Sequence, residues 1–205
     1  MGAAPAPAHG TRQCPGCEGL AAPLPRSPAA VSAERPRVGI SRCLLGETVR
    51  YDGGHRRLLV LEALAAQVHL VGVCPELEAG LGVPRPPMQL VRTPSGLRLR
   101  EVAAPTRDHT RALQAFVGPK IRELADLDGF VLKSRSPSCG LEGVPVFNEA
   151  GTRLEKTGRG LFAAALLAAC PGLPVIEEGS LLHAHDVAVF LERVVAHAHG
   201  RRAQA

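Results

Sequence analysis

Three short apolar runs, each closing on a cysteine, constrain this chain more than any other feature. Val38-Gly39-Ile40 leads to Cys43, Val68-His69-Leu70-Val71-Gly72-Val73 ends at Cys74, and Gly129-Phe130-Val131-Leu132 opens into Lys133-Ser134-Arg135-Ser136-Pro137-Ser138-Cys139-Gly140. Runs this short, apolar at successive positions, read as strands buried on both faces, the habit of parallel sheets. Stretches with helical spacing lie between them. The alternation predicts an α/β domain: a three-layer, Rossmann-like arrangement with a mainly parallel sheet. Ligands in such sheets bind outside the carboxyl ends of the strands, and all three cysteines fall there.

The rest of the chain divides around these runs. Residues 1–36 are rich in Ala and Pro without a period and are expected to form a disordered tail, carrying the pair Cys14-Pro15-Gly16-Cys17. Residues 37–182 hold the folded domain, and 183–205 a C-terminal helix and basic tail. Within the domain, Arg37–Ser41 reads as the first strand and Arg56–Gln67 as a helix. Leu77–Pro94, with Pro84, Pro86, Pro87 and Pro94, reads as a long loop forming a lid or a rigid wall. Gly96–Val102 is expected as a strand, Thr106–Ala125 as a helix capped by Thr106, and Val144–Phe147 as a short hairpin strand before a turn at Asn148–Gly151. Gly158-Arg159-Gly160 opens a helix to about Ala169, where the glycines serve either an anion or close packing. Leu173–Ile176 is a further strand, and Asp186–His199 an amphipathic helix.

Composition narrows the function. The chain of 205 residues is 45% hydrophobic, enough for a real core, and only 3% aromatic. So few aromatics speak against a base-stacking platform, and nucleic acid is not the expected partner despite a net charge of +5. No apolar segment is long enough to span a bilayer and no secretory signal is evident, so a cytoplasmic location is expected. In a reducing compartment cysteines are free, catalytic or metal-bound rather than paired. Lysine is rare, confined to Lys120, Lys133 and Lys156, so Lys133 beside a thiol and three serines stands out.

Three thiols at separate strand ends suit several chemistries. Zinc usually takes at least one close-spaced ligand pair, which these three lack, though His55 is a conceivable fourth ligand. A four-iron cluster on three cysteines leaves one iron open as a Lewis acid. A free cysteine is also often a small buried hydrophobe, the reading given to Cys170. Spacing leaves these readings open.

A series of motifs adds to them: Ser41-Arg42-Cys43-Leu44-Leu45-Gly46, Arg50-Tyr51-Asp52-Gly53-Gly54, Val73-Cys74-Pro75-Glu76, Pro84-Arg85-Pro86-Pro87, Lys133 through Gly140, and Gly158-Arg159-Gly160-Leu161. In this order they resemble the thiouracil desulfidase (TudS) family. The resemblance implies a cytoplasmic enzyme with a 4Fe-4S cluster held by Cys43, Cys74 and Cys139, one iron having no protein ligand. That iron would take the sulfur of a small-molecule thiolated nucleobase such as 2-thiouracil, and water would replace the sulfur without net redox change. By motif position, Ser136, Glu76 and Asp52 are the catalytic candidates, and Arg50, Lys133 and Ser138 the substrate-binding ones. Arg50 and Asp52 are alternatively an ion pair closing their loop, and Glu76 a carboxylate at a helix N-terminus. The sequence around Lys133 and Leu161 is similar to the branch whose longer members continue into a C-terminal domain. The rival function is a non-catalytic iron–sulfur or zinc-binding protein in sulfur handling or redox sensing.

Overall fold

The computed structural model describes residues 35–203. Along the chain run β1 (Arg37–Ser41), α1 (Leu61–Ala65), β2 (His69–Val73), β3 (Met88–Thr93), β4 (Gly96–Glu101), α2 (Thr110–Glu123), β5 (Gly129–Leu132), β6 (Val144–Phe147), β7 (Arg153–Gly158), α3 (Leu161–Ala169), β8 (Val175–Glu177) and α4 (Ala184–Arg202). The three apolar runs are neighbours in one parallel sheet of order β2-β1-β5-β8. Val38 pairs with both Leu70 and Gly129, and Phe130 with Val175. Every β5 residue is buried, as expected for a strand covered on both faces.

Alternation along β5 builds the three layers. Phe130 and Leu132 face one core with Leu113 and Val117 of α2 and Phe162 and Leu166 of α3. Val131 points the other way, joining Val38 and Ile40 of β1 in a core with Leu61 and Leu64 of α1 and Phe190 and Val194 of α4. Phe130 and Phe162 meet edge to face, centroids 5.6 Å apart. α4 is tied down at its far end by Asp128, which is fully buried and accepts hydrogen bonds from Arg37 N (2.9 Å) and Arg201 Nε (3.1 Å). Among the described residues no helix is long and apolar enough to cross a membrane.

A second four-stranded sheet, β4-β3-β6-β7, departs from the sequence expectation. The stretch Leu77–Pro94 is not all loop. Leu77–Leu81 is a wide helical turn and Met88–Thr93 is β3, joined to β4 through a tight turn at Pro94-Ser95. Four prolines hid a strand that begins one residue after the last of the Pro84-Arg85-Pro86-Pro87 group. β7 has no apolar alternation and pairs irregularly with β6, so periodicity could not reveal it.

Helix boundaries also moved. Only Leu61–Ala65 of the expected helix 56–67 is helical, because Arg56 N and Leu58 N donate to Cys43 O and Leu44 O and hold that segment against the preceding turn. α2 begins at Thr110 rather than Thr106: Asp108 Oδ1 accepts the Thr110 N–H at 2.9 Å, and Thr110 Oγ1 accepts from Leu99 N. Gly158 belongs to β7, so α3 starts at Leu161. Cys14 and Cys17 lie outside the described residues.

Candidate active site

Each cysteine is set by its own local device. β1 passes directly into a 3-10 turn, Arg42–Leu45, that carries Cys43 and ends at Gly46, whose φ of 97° suits glycine. Cys74 follows β2. Its N–H donates to Glu78 Oε1 (2.8 Å), and Glu78 Oε2 is held by Lys120 of α2 at 3.0 Å. Cys139 lies in the loop after β5. There Ser136 Oγ accepts the N–H groups of Ser138 (3.2 Å) and Cys139 (3.0 Å).

The Gly158-Arg159-Gly160 entry to α3 packs against this loop. Leu161 N donates to Pro137 O, while Phe162 N and Ala163 N share Ser138 O, so these first helical donors are used by the loop. A Cβ on Gly160 would strike Ser138 O and lie 2.8 Å from Cys139 N. Of the two roles open to these glycines, close packing is the one present.

All three thiols line a single cavity of about 480 Å³, together with Glu76, Ser136, Arg50 and Lys133. Burial pushes the Cys43 thiol up to about 11, and it raises Cys74 and, most strongly, Cys139. A negative Cys74 raises Cys43, and negative Cys74 and Cys43 both raise Cys139. Such mutual effects arise between near neighbours. A hydrogen bond from Ser41 opposes the rise at Cys139, and Ser41 Oγ also accepts Lys133 N at 3.0 Å.

The donor set suits a soft, positively charged group larger than one ion. Three thiols from three strand ends surround one cavity, and their enforced neutrality is relieved when a metal takes the place of the proton. Among the described residues no three His, Cys, Asp or Glu side chains gather closely enough for a single metal ion. His55 is exposed and lies outside the cavity lining. The residues therefore fit an iron–sulfur cluster on Cys43, Cys74 and Cys139 better than zinc.

The other expected site residues separate into two groups. Ser136 and Glu76 line the cavity. Both Ser136 Oγ lone pairs are used by backbone donors, so its own proton is left to donate. Glu76 is almost buried. Its Oε2 takes Nε (2.9 Å) and Nη2 (2.6 Å) of Arg85, and its Oε1 accepts the Ser138 hydroxyl at 2.8 Å. Ser138 itself is 0% exposed and is not part of the cavity wall, so it reaches the site only through Glu76. Asp52 also lies off the wall. Its Oδ1 accepts Gly54 N at 3.0 Å and sits 3.4 Å from Arg50 Nε, the arrangement of a loop-closing ion pair.

Arg50 lines the cavity with its guanidinium over the Tyr51 ring, 5.4 Å from the centroid. Lys133 lines it too, but its ammonium pairs with Glu178 and donates to Ser134 O. Glu178 also accepts Ser134 N (2.6 Å) and Ser134 Oγ (2.7 Å). Burial acts to raise the Glu178 carboxyl, yet these donors outweigh it and hold the group below the usual carboxylate range. Its neighbour Glu177 accepts Leu141 N at 2.7 Å, so adjacent carboxylates at the end of β8 brace both ends of the Cys139 loop. Sequence reasoning missed Glu177, Glu178, Ser41 and the partners of Arg85. The rule that pointed to the cysteines, chemistry at carboxyl ends of strands, also covers Ser41 and the two glutamates.

Fold and site together define a Rossmann-like α/β domain with three cysteine thiols on one cavity at the carboxyl edge of its parallel sheet. The 2-thiouracil desulfurase family profile matches residues 38–178, and the chain belongs to that family. It is similar to a protein of Bacillus subtilis (strain 168) described as uncharacterized protein YbbK, 30% identical over 148 residues that cover 69% of this chain and 95% of that one. Among solved structures, the [4Fe-4S]-dependent thiouracil desulfidase TudS superposes with a TM-score of 0.58 and 29% identity, covering 77% of this chain and 99% of that chain.

Proposed function

We propose that this protein is a cytoplasmic desulfidase that removes sulfur from a thiolated pyrimidine, 2-thiouracil or a close analogue, as hydrogen sulfide. Cys43, Cys74 and Cys139 would hold a 4Fe-4S cluster with one iron free of protein ligands. When bound, that cluster supplies a Lewis-acidic iron for a thiocarbonyl sulfur. The observation that carries the reading is the meeting of three strand-end thiols on one cavity that Ser136 and Glu76 also line.

The chain's own groups account for the rest. The Ser136 hydroxyl, left only a donor, aims its proton at a heteroatom of the pyrimidine and orients the ring. Glu76 keeps one lone pair on Oε1 beyond those used by Arg85 and Ser138, and takes a proton from the water that attacks the thiocarbonyl carbon. The C–S bond breaks as the C–O bond forms, so thioamide and water give amide and hydrogen sulfide with no change of oxidation state. Arg56 and Arg135, which line the cavity and form no ion pair with any described residue, favour the negative charge that develops on sulfur. Asp52 closes the loop that presents Arg50, and Lys133 and Ser138 support the wall.

The test is anaerobic reconstitution with iron and sulfide, followed by incubation with 2-thiouracil. Uracil and sulfide in equal amounts are expected. A loaded cluster with no sulfide release from any thiobase would remove the reaction, and one zinc per chain without brown absorbance would favour the non-catalytic metal protein.

A further inference from the structure

Arg85 is the most constrained cation in the cavity wall. Its side chain is 6% exposed, and its partners come from segments far apart in sequence. Nε and Nη2 grip Glu76, two residues past Cys74. Nη1 donates to Val49 O at 3.1 Å, in the loop that follows Cys43, and to Gly82 O at 2.8 Å. Its backbone N–H donates to Tyr51 O at 2.9 Å in that same loop. Through Glu76 Oε1 the connection reaches Ser138, next to Cys139.

We propose that Arg85 is a positioning residue whose guanidinium locks the three cysteine-bearing loops together, so that the metal site is shaped before any metal arrives. The chemistry of the fork explains the choice of side chain. Arginine presents five donors in fixed directions, and here they make four hydrogen bonds to a carboxylate and two carbonyls, more than the three donors of an ammonium supply. Val49 O is the second part of the device. It also accepts the Cys74 thiol at 3.8 Å. One carbonyl thus joins the Arg85 guanidinium to the Cys74 side chain, and the Nη1 donor on it holds the Cys43 loop against Cys74.

The proposal rests on the three-thiol reading, and its test separates the two. Metal-free full-length wild type, Arg85→Met and Arg85→Lys are alkylated under reducing conditions, and labelling is followed at each cysteine by mass spectrometry. Arg85→Met is expected to speed labelling of Cys43, Cys74 and Cys139 together by 5-fold or more (on the order of one to two broken charge-assisted hydrogen bonds). Cys170, which packs against the core at the end of α3, is the internal control and keeps its rate. After anaerobic reconstitution the variant is expected to hold less than half the wild-type iron, with a broadened electron paramagnetic resonance signal. Arg85→Lys restores neither property fully.

Wild-type labelling rates and iron content in Arg85→Met overturn the proposal, as does equal acceleration at Cys170, which would mark general loosening. If Arg85→Met loses its far-UV circular dichroism, Arg85→Lys decides: wild-type labelling and iron content in it overturn the proposal, and selective loosening supports it. Failure of the wild type to take up a cluster would instead remove the proposed function.

Discussion

At the scale of single residues, Ser136 is defined by subtraction. Its oxygen is occupied by two backbone donors, so only its proton is available to a ligand. Ser136→Ala is expected to lower the turnover of 2-thiouracil by roughly 100-fold, the usual cost of one lost donor at developing charge. Ser136→Thr, keeping the hydroxyl, should recover most of it, as steady-state kinetics would show. Gly160 is defined by what it excludes. The atoms its Cβ would meet are backbone, Ser138 O and Cys139 N, and neither yields like a flexible side chain. Gly160→Ala is expected to cost about 1–3 kcal/mol from overpacking, measured by urea unfolding, and to reduce iron content by displacing Cys139. Retention of both would show that the loop relaxes freely. That the cysteines would share a place was legible from strand ends, and Ser136 and Glu76, chosen by motif position, line the same cavity. The roles of Ser138 and Asp52 were not, because one residue of sequence separates the cavity wall from the layer behind it.

At the scale of elements, β8 does more than close the sheet. Its last residue and the one after it are glutamates that brace the Cys139 loop, Glu177 at Leu141 and Glu178 at Lys133 and Ser134. Glu178 is held below its ordinary range. Its contribution to stability is therefore fully present above the unfolded carboxylate value and is lost as pH falls through the lower folded value. Glu178→Gln should lower the stability of the metal-free protein at neutral pH by about 1–3 kcal/mol. The gap from wild type should close as pH drops below about 4. A gap that stays constant across a pH series of urea titrations would show that the carboxylate is not responsible. The apolar strands β1, β2 and β5 could be read directly, since burial on both faces leaves a continuous signal. β3 and β7 could not: prolines crowd one, and the other is a polar strand at the sheet edge. The shortening of α1 was equally hidden, because remote carbonyls at Cys43 and Leu44 captured the N–H groups of its expected first turn.

At the scale of the whole molecule, three thiols drawn into one buried place make folding and metal binding depend on pH in opposite senses. In the metal-free protein the thiols are raised, Cys43 to about 11. The stability they support is complete below the unfolded thiol value and is lost as pH rises through the folded one. Thermal unfolding of metal-free protein should therefore shift downward between about pH 8.5 and 11. Metal ligation needs thiolates, so iron retention against a chelator should weaken as pH falls from about 8 to 6. Cluster loading should also raise the unfolding temperature, since the group binds the folded chain alone. An unfolding temperature indifferent to loading would place the iron elsewhere. The sequence by itself determined the strand ends, the α/β class and the three thiols, since each is a matter of residue type and short-range pattern. Only the tertiary structure decided which groups face the cavity and which stand behind it. Arg85 joining Val49, and Glu178 joining Lys133 and Ser134, are contacts between distant segments. The chain's chemistry permits many such pairings, and packing selects one.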